Sequence, residues 1–190
     1  MKHAAAVVLL LVAACSDSGT EVTMMPVGGC DGLLSEIAGE PGVHVPVGSP
    51  IAWSTNPPAT GMHYPSWAGW DREYGALDRG FYVHNAEHGG VALLYRCDTA
   101  CPEVVDALRG VARGMAADPT CTAPVRNRVV ITADPLLPDG VQVAAIAWNA
   151  VYTASCFDPY VATFAREHYR HGPEDLCNDG NPIGGTFIDP

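Results

Sequence analysis

The stretch from Val91 to Trp148 decides the fold of this 190-residue chain. It reads VALLY at 91–95, PEVVDALRGVARGM at 102–115, NRVVITA at 127–133 and VQVAAIAW at 141–148. In the second of these segments apolar residues recur at every third or fourth position, which predicts an amphipathic helix with Pro102 in its first turn. The other three segments are short apolar runs, which predict buried strands.

The pattern continues on both sides of this stretch. Residues 80–84 (GFYVH) predict a further strand, and residues 159–169 predict a second helix that ends before Gly172 and Pro173. The order is therefore β-β-α-β-β-α. Such an order predicts an α+β fold, in which a mainly antiparallel sheet of about four to five strands is covered by two packed helices.

The N-terminal part is expected to form a long irregular segment. Residues 30–38 suit a short helical turn, and residues 60–75 are aromatic-rich and interrupted by glycine, which favours an ordered loop. Residues 41–59 contain five prolines, so they exclude a long helix and predict extended chain on the surface. We expect a single α+β domain over residues 30–190.

The first residues have the features of an export signal. An apolar run too short to span a membrane ends in Leu11-Val-Ala-Ala-Cys15, which resembles a bacterial lipobox. We therefore expect a lipoprotein signal peptide at 1–14, lipidation of Cys15 and a flexible tether at 15–29. An ordinary secretory signal is the alternative. Ser16 after the cysteine favours the outer membrane or the cell surface within the bacterial envelope.

The composition excludes two classes of protein. The chain carries 10 basic and 21 acidic residues, a formal net charge of −11, whereas a nucleic-acid-binding surface needs the opposite sign. Its 48% hydrophobic and 16% charged content is that of a folded chain and not of a disordered one.

Cysteine usage predicts disulfides. Apart from Cys15, six cysteines remain, and an even number in an exported chain predicts up to three disulfide bonds. Thiolate ligation of a metal is less favoured, because the sequence has no pair of CxxC units. Cys30 and Cys177 flank the domain, and from position alone we expect them to pair. The six candidates are Cys30, Cys97, Cys101, Cys121, Cys156 and Cys177.

Histidines concentrate in two motifs, Gly61-Met62-His63-Tyr64 and His84-Asn85-Ala86-Glu87-His88-Gly89-Gly90. The second matches H-x-x-E-H, the pattern with which inverted zincin proteases bind zinc from one helix and supply a glutamate base. The flanking segments predict strand, turn and strand, and the two glycines would weaken a helix. The protease interpretation is therefore disfavoured.

The same motifs nevertheless predict a metal site. Imidazole binds zinc, copper, iron or nickel, and a turn could bring His84 and His88 together with His63 from the other loop. Glu87 is a further ligand or orients a histidine. Met62 adds a thioether sulfur, which favours copper over zinc. The alternative is that these histidines form only hydrogen bonds in a glycine-rich core.

The remaining histidines and the tryptophans are expected to be structural. His168 and His171 lie at the end of the second predicted helix, where they suit its free carbonyls. His44, in the proline-rich stretch, is expected on the surface. Trp67 and Trp70 are expected to anchor the core or loops, and the alternative is an exposed pair that stacks on sugars. 

Several of these motifs together resemble the bacterial family catalogued as domain of unknown function 3105. The similar residues are 56–63 (NPPATGMH), Trp67, Tyr74, 84–91 (HNAEHGGV), Ala147-Trp148, Phe164, Tyr169-Arg170 and 172–174 (GPE), over about residues 50–175. The chain departs mildly from the family pattern, which has Thr-Ser-Gly at 59–61 and Leu at 86. The resemblance places the candidate site residues in the family's own motifs and implies no reaction.

These features predict an exported, lipid-anchored metal-binding protein that holds copper, or alternatively zinc, through His63, His84 and His88. The first alternative is a metal-dependent envelope enzyme, a hydrolase or an oxidoreductase, with Glu87 as base. The second alternative binds no metal and presents an aromatic ligand surface. The residues of that surface would be Tyr64, Trp67, Trp70 and Tyr74.

Overall fold

The computed structural model of the protein describes residues 20–180 and 184–188. The expected signal peptide at 1–14 and the lipidation site Cys15 lie outside the described residues. The described strands are β1 (Val22–Pro26), β2 (Leu33–Ile37), β3 (Val43–His44), β4 (Met62–His63), β5 (Arg72–Ala76), β6 (Val91–Tyr95), β7 (Val129–Ala133), β8 (Val143–Ala147), β9 (Ala150–Ala154) and β10 (Thr186–Phe187). The described helices are α1 (Arg79–Glu87), α2 (Pro102–Gly114) and α3 (Tyr160–Glu167).

One large mixed sheet organises the protein. Its eight strands follow the order β1-β2-β9-β8-β6-β7-β5-β10, and β3 and β4 form a separate parallel pair. Strands β6, β7 and β5 run parallel to one another, and the other neighbours pair antiparallel. The α+β class and the mainly antiparallel sheet are confirmed. The predicted size of four to five strands and two helices is wrong, since the described residues form eight sheet strands and three helices.

The central strands are buried on both faces, which explains their near-continuous apolar sequences. On one face, Leu93 and Ile131 pack with α2 and α3, whose apolar stripes include Leu108 and Phe164. On the other face, the alternate residues of the same strands pack against α1 and the fully buried Trp70. The sheet is therefore the middle layer, and α1 lies on the face opposite α2 and α3.

The segment 80–84, predicted as a strand, belongs instead to helix α1. The Asp78 side chain accepts a hydrogen bond from the Gly80 amide and caps the first turn. Gly89 follows the helix with φ +79°, a conformation that glycine adopts without strain. The two glycines therefore end the helix and do not prevent it. The β-prone Phe81-Tyr82-Val83 is helical because Tyr82 and Val83 are fully buried against the sheet.

Three N-terminal expectations also need correction. The stretch expected as a helical turn at 30–38 contains strand β2, and the expected tether at 15–29 contains β1, which pairs with β2 along its whole length. The expected loop at 60–75 contains β4 and most of β5. These strands are short or polar, and they are fixed by pairing across the sheet, which local sequence does not reveal.

Three disulfides connect Cys30 with Cys156, Cys97 with Cys101, and Cys121 with Cys177. The disulfide prediction is confirmed, and the pairing of Cys30 with Cys177 is wrong. Cys30 precedes β2, whose neighbour β9 ends just before Cys156, so strand pairing brings these two cysteines together. Three disulfides are consistent with an exported protein in an oxidising compartment. None of the helices in the described parts of the chain has the length and apolar character that crossing a bilayer requires.

Candidate metal centre

Two histidines lie side by side on the small parallel sheet. The register of β3 and β4 pairs His44 with His63, and the centroids of their rings are 4.9 Å apart. His63 is fully buried, whereas the side chain of His44 is 53% exposed. The Nδ1 atom of His63 lies 2.8 Å from the carbonyl oxygen of Gly61. The pair therefore combines one fixed interior ring with one ring at the surface.

The C-terminal end of helix α1 supplies three further groups. Glu87 and His88 follow His84 by three and four residues, so both side chains lie next to that of His84 on the helix. The Nδ1 atom of His84 lies 2.6 Å from the carbonyl oxygen of Tyr64, which fixes the ring. Helix α1 packs on the sheet with these groups directed at β3 and β4.

Four of these side chains converge on one point. One ligand atom from each of His44, His63, His84 and Glu87 lies within 4.8 Å of all the others. Glu87 Oε2 is 2.9 Å from His63 Nε2, 3.7 Å from His44 Nε2 and 3.8 Å from His84 Nε2. In a tetrahedral site with bonds of about 2.0–2.1 Å, the ligand atoms lie about 3.3 Å apart. The four groups could hold one first-row transition ion if the wider pairs close toward this spacing.

The tautomers of the two buried rings follow from their carbonyl partners. A carbonyl oxygen only accepts hydrogen bonds, so Nδ1 of His63 and Nδ1 of His84 each carry the ring proton. In a neutral ring the Nε2 atom then presents a lone pair. The lone pair of His63 lies 2.9 Å from the Glu87 carboxylate, and among the described residues the neutral ring makes no hydrogen bond through this atom. His84 Nε2 lies 3.8 Å from the same carboxylate oxygen. One added proton could bridge one histidine nitrogen and the carboxylate, whereas a metal ion could bind all of these groups at once.

His88 stands beside this point and also contacts a carboxylate. Its Nε2 lies 3.0 Å from His84 Nε2 and 3.1 Å from Glu174 Oε2. Because His84 Nε2 accepts, the His88 nitrogen donates, and its buried Nδ1 is without a hydrogen-bond partner in the described part of the chain. His88 therefore acts on the site through His84 and Glu174.

The pKa values of His84, His88 and Glu87 determine which of these side chains are charged at neutral pH. Burial, opposed by the hydrogen bond to Tyr64, lowers the pKa of His84 to about 4. Burial, opposed by the charge of Glu87, lowers the pKa of His88 to about 4. Burial raises the pKa of Glu87, but the contact with His63 and the nearby histidines outweigh it and bring this pKa below its usual value. At neutral pH both helix histidines are neutral and Glu87 is an anion, as ligands must be.

The surrounding chain fits closely around the centre. Asn85 donates to and accepts from the backbone of Ala68, which fixes the loop that places Trp67 against the rings of His84 and His88. A Cβ atom on Gly42 would lie 2.0 Å from Glu87 Oε1. A side chain at residue 42 would therefore displace the carboxylate.

A buried arginine holds the end of helix α1. Arg128 donates to the carbonyl oxygen of His88 at 2.9 Å, and its other terminal nitrogen lies 3.0 Å from an Asp118 oxygen. The side chains of Arg128 and Asp118 are both fully buried. Asp175 adds a second, half-exposed carboxylate 2.6 Å from Arg128. This ion-pair group stabilises the turn that follows the site.

The structure brings together most of the predicted site residues. His63, His84 and Glu87 meet, and His88 is their neighbour. Met62 does not join them, because successive strand residues point to opposite faces: His63 is buried, whereas Met62 is 41% exposed. His168 and His171 lie at the end of α3 as expected, with the His168 ring against Phe164.

His44 is exposed, as expected, but sequence reasoning missed that it joins the cluster. A signal was present: Val43-His44-Val45-Pro46 and Met62-His63-Tyr64-Pro65 share the pattern apolar, histidine, apolar, proline. Those two segments are the ones that pair as β3 and β4. Glu174 was also left without a role, and it contacts His88.

The aromatic ligand surface does not form. Tyr64, Trp70 and Tyr74 are buried in the structure, and Trp67 is partly buried against the histidines. The Nε1 atoms of Trp67 and Trp70 both donate to the carbonyl oxygen of Asn178. The two tryptophans therefore attach the C-terminal segment to the core.

Comparison with models of protein families identifies the family to which the chain belongs. The model of a protein family of unknown function, DUF3105, matches residues 44–180. The chain belongs to the DUF3105 family. The matched DUF3105 region begins at His44 and includes His63, His84, Glu87 and His88. Searches of curated proteins and of solved structures find no match.

Proposed function

We propose that this protein is an exported, lipid-anchored metal-binding protein that holds one divalent transition-metal ion through His44, His63, His84 and Glu87. The supporting observation is the convergence of lone pairs, above all His63 Nε2 facing Glu87 Oε2 at 2.9 Å. With the ring proton on Nδ1, this Nε2 atom needs a cation beside it to face the carboxylate: a second ring proton serves this one pair, whereas a metal ion would serve all four groups.

Copper(II) is the ion we favour, and zinc is the alternative. With Met62 directed away, the donors are three imidazoles and one carboxylate, a set without sulfur. Sets of nitrogen and oxygen donors bind Cu²⁺ more tightly than the other divalent first-row ions. The absence of a soft ligand favours copper(II) over copper(I).

His88 and Glu174 support the site from outside the ligand set. With an ion on the His84 lone pair, the N–H of His88 donates to Glu174 alone, at the present 3.1 Å. Such outer partners fix ligand orientation, and their removal weakens metal binding less than loss of a ligand does.

An enzyme with the same site is a second candidate, favoured by the helix across the H-x-x-E-H motif. A strand and a turn were expected across this motif, and the helix found there is the element on which inverted zincins carry it. A bound ion with an open position lowers the pKa of bound water. Glu174, whose side chain is 51% exposed next to His88, is placed to accept a proton.

Metal binding is tested with the purified mature chain, stripped with a chelator and titrated with Cu²⁺ and Zn²⁺ in competition with a chromophoric chelator. We expect one ion per chain. Alanine at His84 should lower the affinity at least a hundredfold and alanine at His88 less, whereas alanine at the exposed His171 should leave it unchanged. Equal affinity in the H84A variant and the unmodified chain would exclude this site.

The anchor and the enzyme are tested separately. Radiolabelled palmitate should enter the unmodified protein in cells and should not enter a Cys15→Ser variant. Hydrolysis of ester or peptide substrates that stops on chelation, returns with one metal and is lost in an E174Q variant would support the enzyme. Chelator-resistant hydrolysis would count against it.

A further inference from the structure

A second feature of chemical interest lies at the other end of strand β6. The metal centre adjoins the start of this strand, where helix α1 ends, whereas Cys97 follows its last residue, Tyr95, by two positions. Cys97 forms a disulfide with Cys101, at the beginning of helix α2. The order is thus strand, cysteine pair, helix, and then the parallel strand β7.

The pair opens onto a cavity of about 920 Å³. The last residues of the three parallel strands, Ala76 of β5, Tyr95 of β6 and Ala133 of β7, line this cavity together with both cysteines. The region beyond the carboxyl ends of parallel strands is where open sheets bind their ligands. The disulfide therefore lies where this sheet is best placed to receive a partner.

The two sulfurs differ in their surroundings. Cys97 is partly exposed and followed by three exposed residues, whereas Cys101 is 9% exposed and packs on the core. Cys101 is also the N-cap of α2, a helix of 13 residues, and no side chain caps that end. Cys97 Sγ is therefore the sulfur that a partner thiolate can reach, and Cys101 is the sulfur that leaves.

The loop closed by this bond also distinguishes it from the other two disulfides. Its cysteines are 4 residues apart, compared with 56 and 126 for the others. A cross-link restrains the unfolded chain less as its loop shortens, so this bond contributes least to stability. Cysteine pairs between a strand and a helix of a β-α-β unit serve redox exchange in disulfide oxidoreductases, although with two intervening residues and not three.

We propose that Cys97–Cys101 is a redox-active disulfide that exchanges with a dithiol partner. A thiolate of the partner attacks Sγ of Cys97, a mixed disulfide forms, and the electron pair of the broken bond leaves on Cys101 Sγ, which takes a proton. The second thiolate of the partner attacks the partner sulfur of the mixed disulfide and releases Cys97. The partner loses two electrons and becomes a disulfide, and the cysteine pair gains them.

The test uses the intact, unmodified protein and dithiothreitol as the dithiol. Samples are equilibrated at increasing dithiothreitol, free thiols are blocked by alkylation, and peptide mass spectrometry reports each cysteine. We expect Cys97 and Cys101 to become alkylated at a dithiothreitol concentration at least tenfold below that needed for the other four, with circular dichroism unchanged. Simultaneous reduction of all three disulfides, or later reduction of this one, would overturn the proposal.

Two variants test the roles of the two sulfurs. In Cys101→Ser the remaining Cys97 should form a mixed disulfide with oxidised glutathione at least ten times faster than Cys101 does in Cys97→Ser. Thermal unfolding shows whether each variant is folded. Equal rates in two folded variants would overturn the assignment of Cys97 as the attacked sulfur, and the reduction experiment on the unmodified protein stands if either variant fails to fold.

Discussion

His63 Nε2 faces Glu87 Oε2 across 2.9 Å in the protein interior. The proton of the His63 ring is on Nδ1, toward the carbonyl oxygen of Gly61, so a neutral ring cannot bridge the gap. Strand β4 and helix α1 fix these two side chains from different sides. The fold therefore holds these two atoms at a distance that a second ring proton or the proposed metal ion can bridge.

Replacing Glu87 with glutamine should change metal affinity without changing the stability of the metal-free fold. The amide removes the negative ligand, and we expect Cu²⁺ affinity to fall by about a hundredfold, since loss of a ligand should cost at least as much as loss of an outer partner. The amide N–H can donate to His63 Nε2, so the metal-free variant should unfold at a temperature close to that of the unmodified protein. Chelator competition and thermal unfolding in excess chelator measure these two quantities.

The control for that experiment is Glu174→Gln, which changes the half-exposed carboxylate beside His88. We expect a smaller loss of affinity, about tenfold, because the amide oxygen still accepts from His88. If E174Q lost as much affinity as E87Q, both carboxylates would be ligands and the ligand set proposed above would be wrong.

Gly42→Ala tests the geometry of the site without removing a ligand. The added Cβ would lie 2.0 Å from Glu87 Oε1 and 3.3 Å from His63 Cε1, so the carboxylate must move. We expect metal affinity to fall by roughly tenfold because misplaced ligands lose binding energy. Isothermal titration with Cu²⁺ measures the change.

Gly110→Ala is the matched control, since a Cβ at this helix position has no neighbour within 4 Å among the described residues. Alanine there should raise the free energy of unfolding by about 0.5–1 kcal/mol and leave metal affinity unchanged. Unchanged affinity in the G42A variant would contradict the position assigned to the Glu87 carboxylate.

Removal of the buried carboxylate partner of Arg128 should destabilise the fold. Asp118→Asn leaves Arg128 with the half-exposed Asp175 as its remaining carboxylate, and we expect a loss of about 3 kcal/mol, the lower end for breaking a buried ion pair. Urea unfolding at neutral pH measures this loss. A loss below about 1 kcal/mol would show that Asp175 alone compensates the arginine.

The same pair gives stability a definite pH dependence. Burial raises the pKa of Asp118, but hydrogen bonds from Thr120 and Tyr169 and the charge of Arg128 outweigh it and lower this pKa below 3.8. The ionised form is favoured in the folded state, so its stabilisation is complete above pH 3.8 and is lost as the pH falls through the lower folded value. The difference between D118N and the unmodified protein should therefore be constant from pH 7 to 5 and shrink below pH 4.

The disulfides should contribute unequally to stability. On the loop-entropy model, the bond between Cys30 and Cys156, 126 residues apart, contributes about 5 kcal/mol, and the bond between Cys97 and Cys101, 4 residues apart, contributes about 2 kcal/mol. Paired serine substitutions at each bond, compared by urea unfolding, measure the two losses. A larger loss at Cys97 and Cys101 would indicate a structural role for the short loop.

The local sequence pattern predicted those helices and strands whose apolar residues are the ones buried in the structure. The stripe of α2 and the apolar runs of β6, β7 and β8 were found because their own residues carry the periodicity. The start of helix α1 was predicted as a strand, since Phe81-Tyr82-Val83 favours strands, whereas the helix is fixed by its cap at Asp78 and its burial against the sheet. Strand β1 depends on pairing with β2, and no local signal marks that partnership.

The site was predictable to the extent that its residues share a motif. His84, Glu87 and His88 lie within one helical turn, and His63 follows a glycine in a second motif, so chemistry alone selected them. His44 depends on the pairing of two strands of two residues each, which sequence spacing does not reveal. Met62 was included by proximity along the chain, and strand alternation directs it away.

The unequal exposure of the ligands has a consequence for exchange of the ion. Among the proposed ligands, His63 and His84 are buried and Glu87 is partly buried on β4 and α1, whereas the side chain of His44 is half exposed on a strand that pairs over two residues only. Release of this one ring opens a route to solvent while the sheet and the helix stay in place. The segment around His44 would then control access to the site, and the bound ion would hold it in place. The dissociation rate of the ion should therefore depend on how readily this short strand detaches.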